Sequence, residues 1–214
     1  MKLREYHFSI ILAILLLQII LASAAGAANK IMPLGDSITQ GISSGVSDEA
    51  FQVSYRKALY DKLKAAGYVV NDEIFVGTQE SGESVPDFDP SHEGRPGWQA
   101  DEIVDGRSGF PVDDILDQWL IDENPNIVLL HIGTNDISNN DNDIWIEVER
   151  ILDRIDNYEG SPTGNAVWVV LSLIIERGCD PYSPPCPKSP ETSTFNDNVR
   201  DLSLIHISEP TRLW

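Results

Sequence analysis

The chain has 214 residues, and 42% of them are hydrophobic, which is enough for one globular domain with a real core. This composition excludes a disordered chain. The formal net charge of −19 argues against nucleic acid or an anionic membrane as partner, because both need Lys and Arg to neutralise phosphates.

The N-terminus has the order of a secretory signal. Lys2 and Arg4 precede an apolar run at 10–21, and small residues follow at 22–27. The apolar run is shorter than the ~20 residues of a membrane span. We therefore predict a signal peptide at 1–27 that is cleaved, with an uncleaved anchor as the alternative, and a secreted or periplasmic protein that has no membrane contact after cleavage.

The first strand of the mature chain is predicted to end on a serine. An apolar run from Ile31 is broken at Gly35-Asp36-Ser37, which suits a buried strand whose end lies in a crevice. In an open α/β sheet that crevice binds ligands. Alone, a serine after a strand is usually a helix cap, so this motif needs a second feature to indicate catalysis.

Strand and helix periodicities alternate along the rest of the chain. Gly67 is placed to end the first helix, and the segment 77–110 is predicted to be a long, irregular and functional loop with a helix start at 98–103. The order βαβαβαβ predicts a three-layer α/β/α sandwich with a doubly wound parallel sheet. The predicted helices are 55–63, 112–121 and 144–158, and the later strands are 68–76, 127–132 and 166–174.

A second motif follows the predicted strand at 127–132. Gly133-Thr134-Asn135-Asp136 places an amide at the same sheet edge as Ser37, so polar groups from two strand ends would converge. Alone, this motif is an ordinary turn with a helix cap. The pair of motifs is what indicates a site.

Cysteine and histidine spacings predict a disulfide and no metal. Outside the reducing cytosol, Cys179 and Cys186, which flank a short loop, favour a disulfide over a nucleophile or metal site. The histidines lack metal-ligand spacing, and we predict neither a metal nor another cofactor. These histidines are His7, His92, His131 and His206.

The two motifs together resemble the GDSL or SGNH hydrolase superfamily. Further segments are similar to the acetylxylan esterases of the third carbohydrate esterase family, and the resemblance covers about residues 30–200. It implies a flavodoxin-like SGNH hydrolase fold. The similar segments are 32–39, Tyr55-Arg56, Phe75-Val76-Gly77, 92–98 and 129–136.

The resemblance implies three catalytic residues. Ser37 would be the nucleophile that forms an acyl-enzyme, and its N–H, the Gly97 N–H and the Asn135 amide would bind the oxyanion. Gly109 competes with Gly97 for this role. Asp36 is expected to brace the turn.

Other residues near the motifs have ordinary structural interpretations. His131, within a strand, is expected to be buried and hydrogen bonded rather than a base. His92 could orient the Gly97 turn or face solvent. Trp98 and Trp145 could stack on sugar rings, although a tryptophan beside a helix is more often core.

The C-terminal part departs from the family. Members carry an Asp-x-x-His near the C-terminus that supplies the general base, whereas Asp201 and His206 are five residues apart. We predict that this pair is absent from the chain. Residues 202–214 resemble a translated sequencing adapter, so we expect a domain at 30–201 that lacks its C-terminal part, a helix start at 195–200, and an almost inactive chain.

Three functions are compatible with these residues. The first is a secreted esterase that removes O-acetyl groups from a plant polysaccharide. The second is a lipid esterase, lysophospholipase or thioesterase of the same superfamily, which the polar loop region disfavours. The third is a carbohydrate-binding module on a degenerate hydrolase fold. The expected partner is an acetylated polysaccharide or other small ester substrate, and the oligomeric state stays open.

Overall fold

The computed structural model describes residues 29–42, 46–69, 73–138, 144–174 and 190–208, with side chains up to residue 201. The predicted signal peptide and the disulfide between Cys179 and Cys186 lie outside the described residues. Within these ranges, no helix combines the length and apolar character needed to cross a membrane.

The strands are β1 (Ile31–Gly35), β2 (Gln79–Glu80), β3 (Ser91–Gly94), β4 (Ile127–His131) and β5 (Trp168–Leu171). The helices are α1 (Ser37–Gln40), α2 (Ser54–Ala65), α3 (Ala100–Asp105), α4 (Leu116–Glu123), α5 (Thr134–Ser138), α6 (Ile144–Glu159) and α7 (Pro190–Ser208), with a 3₁₀ turn at Glu49–Phe51.

The five strands form one sheet in the order β2-β3-β1-β4-β5. All neighbouring strands are parallel except β2 and β3. The four parallel strands, numbered along the chain, have the order 2-1-3-4, which is the flavodoxin-like order. The predicted doubly wound α/β fold is confirmed. The order reverses between β1 and β4, so the ligand crevice of this fold lies at their carboxyl ends.

Side chains alternate between the two faces of β1 and β4, and each face has its own apolar core. Met32 and Val128 belong to the larger core, which includes residues of α3, α4, α6 and α7. Ile31 and Ile127 belong to the smaller core with Tyr60 of α2. Because both faces are covered, residues 31–34 of β1 and 127–130 of β4 are all apolar, as is typical of parallel strands in a doubly wound sheet.

The strand predicted at 68–76 is wrong in its extent. Phe75 makes an isolated bridge to Ile31, and the strand that pairs with the end of β1 is β3, inside the segment predicted to be irregular. The residues of β3 are Ser91, His92, Glu93 and Gly94, and this strand lacks the apolar pattern that predicts strands. Hydrogen bonds to buried polar side chains stabilise it instead.

Two other predicted elements differ in detail. The helix predicted at 112–121 begins at Leu116, and Val112 is 95% exposed because residues 111–114 form a turn. The strand predicted at 166–174 is shorter and lies at the sheet edge, so Trp168 is 56% exposed. The predicted helix start at 195–200 lies inside α7, which begins at Pro190.

Candidate active site

Ser37 is the first residue of α1, directly after β1. The Asp36 carboxylate caps this short helix, accepting the Ile38 N–H at 2.8 Å, so it braces the turn as predicted. Gly41 ends the helix with φ 117°. Ser37 is half-buried, and in the described ranges no side chain hydrogen bonds to its Oγ. Among the described residues, the hydroxyl therefore lies at the crevice without a competing side-chain partner.

The close approach of β1 to β4 requires a glycine before this turn. A Cβ at Gly35 would lie 2.2 Å from the His131 carbonyl oxygen and 2.5 Å from Thr39 Oγ1. Gly35 is paired with His131 on one side and with Gly94 of β3 on the other. Three chain segments therefore leave the sheet side by side, after Gly35, Gly94 and His131.

The segment after β3 makes a type II turn at Arg95-Pro96-Gly97-Trp98. The Trp98 N–H donates to the Arg95 carbonyl at 3.1 Å, proline holds the second position, and Gly97 has φ +75° at the third. The Arg95 N–H donates to the Gly35 carbonyl at 2.8 Å, which joins the turn to the strand before Ser37. Gly97 is exposed, and among the described residues no acceptor takes its N–H.

The segment after β4 is joined to the same turn. The Asn135 Nδ2 donates to the Trp98 carbonyl at 2.8 Å, and the Ala100 N–H donates to Asp136 Oδ1 at 2.8 Å. The segments of Ser37, Gly97 and Asn135 are thus connected by hydrogen bonds through one turn. Gly109, the competing glycine, lies in a separate turn, where an added Cβ would meet nothing within 4 Å.

His92 is a buried structural residue. Its Nδ1 accepts the Gly94 N–H at 2.9 Å and its Nε2 lies 2.8 Å from Ser81 Oγ, so the ring is neutral with its proton on Nε2. Burial first, and then the charges of Arg56 and Arg95, lower the pKa of His92 from 6.5 to about 3. It orients the turn through Gly94 and does not face solvent.

The prediction that the chain holds no Asp-x-x-His is wrong as a statement about spacing, because Asp89 and His92 have it. They do not form a general base pair. Asp89 Oδ2 accepts the backbone N–H groups of Ile74 and Phe75, each at 2.7 Å, and its Oδ1 accepts the Ser91 N–H. Both ring nitrogens of His92 are engaged elsewhere, so this pair stabilises the sheet edge.

We expect His92 to make stability fall in acid. Because the pKa of His92 is lowered in the folded chain, the unfolded chain binds a proton below about pH 6.5, whereas the folded chain binds it only near pH 3. The free energy of unfolding should therefore fall by about 1.4 kcal/mol per pH unit as the pH is lowered through this window. Above about pH 6.5, His92 should make no contribution to the pH dependence. His92→Asn keeps an acceptor for the Gly94 N–H but does not titrate. Urea unfolding of both proteins between about pH 6 and pH 4 should give the variant a shallower slope by this amount; equal slopes would contradict the assignment.

His131 is buried, as predicted, at 7% exposed. Burial lowers its pKa, while the nearby charge of Asp36 raises it. The predicted hydrogen bond is not made at Nδ1, which has no partner within the described part of the chain. The ring is neutral and enclosed beside the end of β1.

Two buried arginines near the site, Arg56 and Arg95, were not predicted from the sequence. Arg56 is fully buried and donates to the carbonyls of Thr39 and Gln40, the last residues of α1, at 3.0 and 2.9 Å. Burial lowers its pKa to about 10. Arg95 is buried between two carboxylates, Glu93 and Asp114. The segments Tyr55-Arg56 and Glu93-Gly94-Arg95 are visible in the sequence, but the partners of their arginines become known only from the fold.

The two tryptophans differ in position. Trp98 is 1% exposed and packs against Trp119 and Phe110, with ring centroids 6.0 and 5.2 Å apart, so it is a core residue and does not stack on sugar. Trp145 is half-buried and lines a cavity of about 170 Å³ between α6 and α7. Phe195 of α7 also lines it and packs against Gly133.

The chain is similar to known proteins in both sequence and fold. Residues 31–204 match the family GDSL-like Lipase/Acylhydrolase. A multidomain esterase of Ruminococcus flavefaciens is 38% identical over 130 residues, which are 56% of this chain and 16% of that protein. The structure of a Clostridium thermocellum family 3 carbohydrate esterase superposes with a TM-score of 0.60 and 28% identity, covering 84% of this chain and 73% of that one.

The fold and these relatives place the chain in a class of proteins that includes acylhydrolases and esterases. The chain belongs to the GDSL-like lipase/acylhydrolase family, and its fold is that of the family 3 carbohydrate esterases. It spans about one sixth of the length of the multidomain relative.

Proposed function

We propose that the chain hydrolyses O-acetyl esters of a plant polysaccharide through an acyl-enzyme on Ser37. The observation that carries the proposal is the hydrogen-bonded connection of the Ser37, Gly97 and Asn135 segments at the end of β1. Ser37 Oγ would attack the acetyl carbonyl and release the sugar hydroxyl, and water would then free acetate.

The same segments supply donors for the oxyanion. The N–H of Ser37 lies in the first turn of α1, where N–H groups have no partner within the helix. The Asn135 amide carries two N–H bonds and gives one to Trp98, so the other can serve the intermediate. The Gly97 N–H completes the set of three donors.

The sugar substrate is proposed from the relatives. The Clostridium protein is named as a carbohydrate esterase and the Ruminococcus protein as an esterase. A lipid esterase or thioesterase is the alternative. We expect acetate release from acetylated xylan, and faster cleavage of p-nitrophenyl acetate than of p-nitrophenyl esters with long acyl chains. A preference for long chains would support the lipid reading and contradict ours.

We further propose that the 214-residue chain turns over slowly because no described histidine is placed to deprotonate Ser37. His92 is engaged at both nitrogens, and His131 is enclosed. A general base contributes about 10²- to 10⁴-fold. Free imidazole should therefore accelerate cleavage of p-nitrophenyl acetate by about tenfold or more beyond its effect in protein-free buffer. No acceleration would contradict the missing base, and no hydrolysis at all would favour the binding-module alternative.

We also propose that the protein is exported with cleavage near residue 27, on the charged, apolar and small-residue order of its N-terminus. Expression of the full chain in a secreting host should yield a mature N-terminus close to Ala28. A retained Met1 in membrane fractions would indicate the uncleaved anchor instead.

A further inference from the structure

Arg95 forms an extensively bonded side-chain cluster near the crevice. Its guanidinium is buried, donating from Nε to Glu93 Oε1 at 2.9 Å and from Nη1 to Asp114 Oδ2 at 2.8 Å. Nη2 donates to Asp114 Oδ1 and to Thr78 Oγ1. The group also lies over the rings of Trp119 and Trp98, at 4.7 and 5.4 Å from their centroids. Its position and orientation are therefore fixed from several directions.

The partners of Arg95 are themselves anchored in different parts of the fold. Glu93 belongs to β3 and accepts the Thr78 N–H at 2.7 Å. Asp114 precedes α4 and accepts the Trp119 Nε1–H at 3.0 Å. The guanidinium thus joins β3 to the segment that leads into α4. A single guanidinium therefore bonds to Glu93, Asp114 and Thr78.

The backbone of the same residue begins the Gly97 turn. The Arg95 N–H binds the Gly35 carbonyl, and the Arg95 carbonyl accepts the Trp98 N–H. The Trp98 carbonyl in turn accepts a hydrogen bond from Asn135 Nδ2. Fixing Arg95 therefore fixes the first residue of the turn, and with it the direction of the Gly97 N–H.

Stability alone is a weak explanation for this cluster. Burying charges costs several kcal/mol per ion, and well-packed apolar replacements of buried ion pairs are often neutral or stabilising. A bidentate arginine fork instead fixes geometry, which a lysine with the same charge does not. An oxyanion donor must be held in a fixed direction, so the geometry that Arg95 imposes on the turn explains the cluster better than stability does.

We propose that Arg95 is a positioning residue that holds the Gly97 N–H toward the oxyanion formed on the ester carbonyl. This role rests on the proposed function, because it presumes an acyl transfer on Ser37. Arg95 does not touch the substrate and acts through the turn. A displacement of about 1 Å at such a donor can cost about a hundredfold in rate.

The test compares Arg95→Lys with Arg154→Lys in the full chain. Arg154 forms an exposed ion pair with Asp117, so its variant is the matched control. The p-nitrophenol burst gives the limiting acylation rate and the ester concentration at half-saturation. We expect Arg95→Lys to lower the limiting rate about a hundredfold with half-saturation changed less than about twofold, and Arg154→Lys to change neither.

A second variant covers the case in which Arg95→Lys does not fold. Asp114→Asn retains acceptor capacity but removes the charge that anchors the guanidinium, and we expect a fall of about tenfold in the acylation rate of the folded protein. Rates are expressed per folded molecule, and the folded fraction is determined by urea unfolding. An unchanged rate in folded Arg95→Lys would overturn the proposal. Rate losses in both variants that disappear after correction for the unfolded fraction would also overturn it.

Failure of the proposed function has a different signature. In that case the wild-type chain would itself give no burst beyond that of Ser37→Ala, and the role of Arg95 would fall with it. A burst that depends on Ser37 but ignores Arg95 overturns the positioning role alone.

Discussion

Replacement of Ser37 by alanine should abolish the hydrolysis of p-nitrophenyl acetate that free imidazole supports in this chain. The expected loss is about a hundredfold or more, down to the rate of the same imidazole buffer without protein. The reason is the position of the hydroxyl, at the carboxyl end of β1 where the strand order reverses, with no side-chain partner in the described ranges to hold it elsewhere. Initial rates with and without imidazole measure the effect.

The presence of imidazole matters to this experiment. The members of a catalytic unit act together, so in an enzyme that lacks its base the steady-state rate is already low and removing the nucleophile changes that rate little, whereas the single-turnover burst still depends on Ser37. Ser161→Ala is a matched control, because Ser161 is a half-buried serine after the end of α6. Equal acceleration by imidazole in wild type and Ser37→Ala would show that Ser37 is not the nucleophile.

Replacement of Asn135 by alanine should lower the acylation rate about a hundredfold to a thousandfold, the usual cost of one oxyanion donor. The substrate concentration at half-saturation should change little, since the oxyanion exists only after attack has begun. Both quantities come from the p-nitrophenol burst. The side chain also donates to the Trp98 carbonyl, so its loss loosens the Gly97 turn in the same step.

Asn157→Ala, on the exposed side of α6, controls for the loss of an amide as such. Asn135→Asp removes the donors but keeps the size of the side chain, and should be at least as slow as the alanine variant. A rate loss in Asn135→Ala that is matched by an equal rise in half-saturation would assign Asn135 to substrate binding instead.

The parts of the fold that follow from hydrophobic periodicity were predictable. β1 and β4 are apolar on both faces because both are covered, and α6 buries Ile144, Val148 and Ile151 at helical spacing. These elements fix the sheet order near the crevice. The positions of Ser37 and Asn135 at neighbouring strand ends follow from them.

What could not be predicted depends on polar contacts between residues far apart in sequence. β3 is stabilised by His92 and Glu93, whose partners Ser81 and Thr78 lie more than ten residues away, so its sequence lacks a strand pattern. The joining of Asn135 to the Gly97 turn spans 37 residues. Side-chain spacing carries no signal for such bonds, although Pro96-Gly97 did mark the turn itself.

The most direct measurement of the central claim is the site of acetylation after brief reaction with p-nitrophenyl acetate. The good leaving group allows acylation, while the proposed lack of a base slows the attack of water on the ester, so the acyl-enzyme should accumulate. Mass spectrometry of a digest should find one acetyl group on the peptide that contains Ser37, and none in Ser37→Ala. Hydrolysis without any acetyl group on that peptide, or with the acetyl group on another residue, would contradict an esterase that works through Ser37.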